Sequence, residues 1–162
     1  MERDLEQKLA QRDFALEVKQ VEKQERTLTF PFSSEQPVAR AFGDEVLEHK
    51  SDNWDLSRLN DGGPLLFNHS FDRPIGVVNK AWIDESDKRG YAEVRFSKEE
   101  FASSIYRDIQ DGIIRGISFG YVVDDFEQRG DQFIGKEITV HELSVAPCPA
   151  DSTVGVNRTV TD

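Results

Sequence analysis

"GIIRGISFGY", residues 112–121, is the stretch whose reading decides the fold. Ser118 stands between Gly116 and Gly120, and the pattern G-I-S-F-G admits two readings. One is the nucleophile elbow of an α/β-hydrolase, a serine on a strand-to-helix turn with acid and histidine downstream. The other is a serine in the middle of a strand. Here the clearest helix lies before Ser118, where Ser97 and Glu100 fit a capping box and Gly112 fits a C-terminal stop. Phe101, Ile105 and Ile109 form its apolar stripe. After Ser118 comes the strand-like run "YVVDDF", and the chain beyond is too short for further crossover helices. The strand reading stands. In it Ser118 shares a face with Gly116 and Gly120, which leave its Oγ uncovered, while Ile113, Ile117, Phe119 and Tyr121 face a core.

Outward from this strand, alternation dominates. "FALEVKQVEKQERTLTF" reads as a hairpin carrying Phe14, Leu16 and Val18, then Leu28 and Phe30. "VARAFGDEVL" reads as a short strand region, residues 48–63 as a polar loop, and "PLLFNHS" as a short strand closing on His69. "PIGVVNKAWI" and "GYAEVRF" form a second hairpin, and "FIGKEITVHELSVAP" is a long alternating strand after the turn "QRGDQ". Roughly eight strands with turns every 8–12 residues predict an α+β fold, a mostly antiparallel β-barrel with flanking helices. Residues 1–13 read as a charged mobile arm or short surface helix, 14–158 as one domain and 159–162 as a tail.

Composition narrows the function. A net charge of −11 argues against a nucleic-acid binder, since phosphate contact needs a basic face, and no nucleic-acid partner is expected. No apolar run is long enough to span a membrane, and no membrane partner is expected. The single Cys148 cannot form an internal disulfide, and without a base spaced to activate it, it reads as a small apolar residue. The histidines His49, His69 and His141 lack metal-ligand spacing, so neither metal nor cofactor is expected.

A serine hydroxyl needs a base, and three histidines are available. His49 lies in a charged loop and reads as a solvated surface residue. His69 ends an apolar strand at the rim of the expected barrel. His141 and Glu142 sit side by side in the long strand, where neighbours face opposite ways, so only one of them can point at the site.

Three motifs in order, "PLLFNHSFDRPIGVV", "DGIIRGISFGYVV" and "HELSVAPCPAD", resemble the prohead maturation proteases of tailed bacteriophages, serine peptidases related in fold to the herpesvirus assemblins. The resemblance extends over nearly the whole chain, and the interval between His69 and Ser118 is similar to the family's. It implies a herpesvirus-protease-like fold and a serine endopeptidase with nucleophile Ser118, base His69 and orienting acid Glu142. His141 is the alternative third member, because the assemblins use a histidine there. The loop after the acid supplies Ala150 and Asp151 as candidate oxyanion donors. The implied substrates are the major capsid protein or scaffold, and the protease itself by autocleavage. The implied place is the host cytoplasm, inside the assembling prohead, with a homo-oligomer as a further expectation. An alternative is a capsid-internal scaffold or interaction module on the same fold that no longer cuts.

Overall fold

The structure, a computed structural model, describes residues 9–147. Among the described residues, eleven strands form a single curled sheet whose main path runs β1–β10–β11–β7–β8–β9–β3–β2. The long members are β3 (Thr27–Ser34), β8 (Ser70–Asp84), β9 (Arg89–Phe96), β10 (Gly116–Arg129) and β11 (Gln132–Ala146). The short ones are β1 (Ala10–Ala15), β2 (Gln20–Glu22), β4 (Val38–Arg40), β5 (Gly43–Leu47), β6 (Trp54–Asp55) and β7 (Pro64–Phe67). The sheet curls far enough that Phe32 of β3 meets Phe119 of β10 edge-on, ring centroids 5.3 Å apart, although several strands separate them in the path. Fully buried Phe30, Phe32, Phe96, Phe119 and Leu143 fill the space enclosed. The fold is mostly β, as expected.

β11 is the spine. It pairs antiparallel with β10 along one edge, and on the other edge it takes three short strands in succession, β5, β6 and β7. All three pairings are parallel, which the expected mostly antiparallel barrel did not include. Each parallel partner is at most five residues long, so its local alternation is too brief to announce it. The polar segment 48–63, expected as a loop, accordingly contains β6 and the short helix α1 (Ser57–Asn60), and it buries Trp54 and Leu59.

Helix α2 (Glu100–Gln110) buries Ala102, Ile105, Tyr106 and Ile109 against the sheet. Its N-cap is Glu99, whose carboxylate accepts from the backbone N–H of Phe101 and Ala102 at 3.0 and 3.3 Å. The expected Ser97–Glu100 box does not form; the Ser97 hydroxyl instead accepts the Glu99 N–H. Gly112 ends the helix at φ +76°, a left-handed conformation that a side chain disfavours.

Two further expectations change. Ile113 lies outside β10 and is 64% exposed, so Ile114, buried ahead of the strand, takes its place near the core. The charged arm gives way at Ala10 to β1, which pairs with β10. Arg12 explains this. It is 7% exposed, and its guanidinium donates to the Gln36 carbonyl (2.7 Å), the Glu45 carbonyl (2.6 Å) and the Glu45 carboxylate (3.2 Å). A charge read from sequence as a mark of solvation is here the anchor of an edge strand.

Candidate active site

Ser118 lies in the third position of β10, paired with Asp13 of β1 on one side and Ser144 of β11 on the other. Ile117, Phe119 and Tyr121 join the hydrophobic core, and alternation sends Ser118 to the opposite face of β10, where it too is buried. His69 reaches it from the β7–β8 hairpin. Phe67 pairs with Ser70, so Asn68 and His69 form a two-residue turn, both with positive φ (56° and 62°). Left-handed backbone suits the right-handed twist of a tight hairpin, and Asn tolerates it well, but histidine at the second position is strained. Two bonds hold it there. The Asn68 N–H donates to the Val145 carbonyl at 2.8 Å, and the His69 N–H donates to Ser144 Oγ at 2.7 Å.

The imidazole bridges two partners. His69 Nδ1 is 2.6 Å from Glu142 Oε2, and Nε2 is 2.8 Å from Ser118 Oγ. A carboxylate can only accept, so Nδ1 carries a proton, and in the neutral ring Nε2 then presents its lone pair to the serine. Ser118 Oγ also lies 2.9 Å from the Arg12 carbonyl. One hydroxyl proton thus faces two acceptors on opposite sides, which fixes the rotamer of Oγ between β1 and His69. Ser118 is fully buried and Glu142 is 2% exposed, while the His69 side chain keeps about a fifth of its surface in solvent. The hydrogen bond between His69 and Glu142 is therefore largely shielded from solvent.

Gly120 has a different purpose from the one read off the sequence. It pairs with Glu142 across the strands, and a Cβ built on it would lie 2.5 Å from Glu142 Oε2. The glycine makes room for the carboxylate that holds His69. That Oε2 is the same oxygen that accepts from His69 Nδ1. Glu142 Oε1 is buried with no hydrogen-bond partner among the described residues.

His141 goes elsewhere. Gly120 pairs with Glu142 and Tyr121 pairs with Val140, so His141 is the extra residue of a β-bulge. Burial, with the positive charge of Arg58 behind it, lowers its pKa from the ordinary histidine range. Of the two neighbours in β11, Glu142 is the one placed against His69.

His49, expected as a solvated surface residue, is 2% exposed. Its Nδ1–H donates to the Leu47 carbonyl at 2.8 Å, its Nε2 faces Ser33 Oγ at 2.8 Å, and its ring packs on Trp54 with centroids 4.7 Å apart. Burial holds its pKa down at about 4, so it is a neutral core residue. Ala150 and Asp151, the expected oxyanion donors, and Cys148 lie outside the described residues.

Arg12 and Ser144 were not singled out as site residues by sequence reasoning. Ser144 was legible in principle, since it shares the alternate positions of β11 with Glu142. Nothing local marks Arg12, because its partners Glu45 and Tyr121 are distant in the chain. Beside them Arg40 donates to the Tyr121 hydroxyl at 2.7 Å, and Tyr121 donates to Glu45; burial, then the Glu45 charge, pushes Tyr121 up to about 12.

A serine, an imidazole and a buried carboxylate stand in hydrogen-bonded sequence on a curled β-sheet, a geometry that serine hydrolases also use. Residues 14–161 match the caudovirus prohead serine protease family, and the chain belongs to it. It is similar to the "Major capsid protein" of Halomonas phage phiHAP-1, 42% identical over 134 residues that cover 78% of this chain and 22% of that protein. It is also similar to the "Capsid polyprotein" of Pseudomonas phage PAJU2, 28% identical over 146 residues, covering 85% of this chain and 20% of that one. The chain thus spans about a fifth of the length of the curated relatives it matches. In fold it is similar to the bacteriophage T4 capsid assembly protease, gp21, with a TM-score of 0.58 over 89% of this chain and 99% of the other at 11% identity.

Proposed function

We propose that this chain is a serine endopeptidase of phage prohead maturation that cuts capsid-related polypeptide, including a scaffold-like segment of the capsid protein, and itself. The observation that carries the reading is the continuous path Glu142–His69–Ser118, with contacts of 2.6 and 2.8 Å. Ser118 Oγ attacks the scissile carbonyl as His69 Nε2 takes its proton. Glu142 keeps the reactive tautomer and offsets the charge of the imidazolium as it forms. His69 then protonates the leaving amine, and water repeats the sequence on the acyl-enzyme. The oxyanion donors are assigned to the backbone N–H groups of Ala150 and Asp151 in the loop that follows the Glu142 strand, since Pro149 has none to offer.

The relatives supply the substrate class. Both carry capsid names and both are several times longer than the region they share with this chain. A protease segment carried within a capsid polypeptide has its substrate in the same chain or in a copy beside it, and so acts inside the assembling prohead in the host cytoplasm. The test is co-expression with the capsid protein of the same phage and mass spectrometry of both chains. Fragments with defined new termini are expected with the native protein and absent with folded Ser118→Ala. Equal fragments from both would remove the serine mechanism. Intact chains in both would favour a non-cutting capsid module.

A further inference from the structure

β11 grips His69 at two points. Glu142 and Ser144 are alternate residues beyond the bulge and share one face of the strand. Glu142 Oε2 takes the ring Nδ1–H at 2.6 Å, and Ser144 Oγ takes the main-chain N–H of the same residue at 2.7 Å. Ser144 stands where the parts of the site cross. It is the register partner of Ser118 in β10 on one edge and of Leu66 in β7 on the other. It therefore lies between the strand of the nucleophile and the hairpin that carries the base.

The main-chain grip acts against strain. Asn68 and His69 both adopt left-handed backbone, φ 56° and 62°, which a side chain disfavours. Both turn amides are directed onto β11. The acceptor of the Asn68 N–H is the Val145 carbonyl, main chain that survives any substitution. The acceptor of the His69 N–H is a side chain, and Ser144 is fully buried, so no solvent stands ready to replace it. The Ser144 proton turns to the Val145 carbonyl at 3.4 Å, which leaves the Oγ lone pairs to the amide. Without Oγ the His69 amide loses its acceptor and the turn is held on one side only. The strained residue is the base itself, so any relaxation of its φ swings the imidazole. Contacts of 2.6 Å to Glu142 and 2.8 Å to Ser118 do not both survive such a swing.

We propose that Ser144 is a positioning residue of the site, whose hydroxyl, acting through the His69 amide, sets where Nε2 meets Ser118. The kinetic consequence rests on the serine-endopeptidase reading. Ser144 touches neither the scissile bond nor the ring; it acts by holding the backbone from which the ring projects.

The test uses the full chain and two readouts. On a capsid-derived substrate, Ser144→Ala is expected to lower kcat by about 100-fold and to change KM by no more than about twofold, because the base is misplaced while substrate binding is untouched. In proton NMR spectra the downfield signal of His69 Nδ1–H, assigned by its loss in His69→Ala, should move or broaden in Ser144→Ala. A residue that only supported the fold would lower stability and change neither readout. Ser144→Cys keeps the volume but is a weaker acceptor, and should fall between the native protein and Ser144→Ala in both. It carries the test where Ser144→Ala does not fold. Native kcat in folded Ser144→Ala, or an unmoved Nδ1–H signal in either folded variant, overturns the assignment. If the native protein cuts no capsid polypeptide and a phosphonofluoridate does not label Ser118, it is the endopeptidase reading that fails. The Nδ1–H signal then still decides whether Ser144 places the ring.

Discussion

The molecule contains two serine–histidine pairs with the same contact distance. Ser118–His69 and Ser33–His49 are both joined at 2.8 Å through Nε2. They differ in what stands behind the ring. His69 Nδ1 faces a carboxylate, whereas His49 Nδ1–H donates to the Leu47 carbonyl. Glu35 stands 3.8 Å from His49 Nδ1, but it takes the His49 backbone N–H at 2.7 Å and is no ring partner. A carbonyl orients a tautomer as well as a carboxylate does, but it carries no charge to offset an imidazolium. His49 is also sealed from solvent, and Ser33 Oγ is occupied by the Gly90 N–H at 3.2 Å. A short serine–histidine contact is thus a packing device at one place and, in the proposed function, a proton path at the other.

The largest effect that sharpens this comparison is loss of the reactive pair. Ser118→Ala or His69→Ala should each lower kcat on a capsid-derived substrate by on the order of 10⁶, since members of such a unit do not contribute separately. Ser33→Ala should leave turnover by the folded protein unchanged while lowering stability by about 1–3 kcal/mol through the lost partner of a buried ring. Denaturant titration beside single-turnover kinetics separates the two. A fall in kcat with Ser33→Ala like that with Ser118→Ala would end the distinction.

Next comes the carboxylate. Glu142→Gln keeps the shape but lets the amide favour the wrong tautomer, and a loss of about 10⁴ in kcat is expected by analogy with the well-studied serine-protease template. His141→Gln, in the bulge, should cost about tenfold or less. A severe loss confined to His141→Gln would take Glu142 out of the mechanism. Gly120→Ala is a subtler probe of the same oxygen. The added methyl would sit 2.5 Å from Glu142 Oε2, so the carboxylate must shift. A misplacement of about 1 Å is expected to cost about 100-fold, chiefly in kcat. Unchanged turnover by a folded Gly120→Ala protein would show that Glu142 need not lie where it does.

These residues also divide by how far they could be read in advance. The strand assignment of Ser118, the helix stop at Gly112 and the long alternating β11 follow from local pattern, because each depends on its neighbours in sequence. The Glu142–His141 choice depended on register. A bulge at His141 removes it from the alternation, and nothing in "TVHELSV" announces a bulge. His49 was misread because its loop is charged; its burial comes from Ser33, Leu47 and Trp54, and the last closes over it from β6, a two-residue strand. Arg12 was misread for the same reason, charge taken as solvation when the counter-charge, Glu45, lay in another strand. Long-range polar pairing is the part of this fold that periodicity does not carry.

The smallest effects on catalysis belong to the buried pair, and its His49 distinguishes the two pairs by pH. Burial lowers the His49 pKa to about 4 in the folded protein, against about 6.5 for an exposed histidine. The unfolded chain therefore binds a proton that the folded one refuses between those values. The contribution is fully present above pH 6.5, and stability is lost as pH falls from about 6.5 to about 4, by on the order of 3 kcal/mol. Below the folded value both states are protonated and the slope from this group ends. His49→Gln should remove the slope, at some cost in stability at pH 7, while changing kcat at pH 7 by no more than about twofold. Denaturant titrations of the native and variant proteins at pH 7, 5.5 and 4 measure it. Equal pH slopes in the two would mean that His49 titrates in the folded state as it does in the unfolded chain, and that its ring is not held neutral in the core.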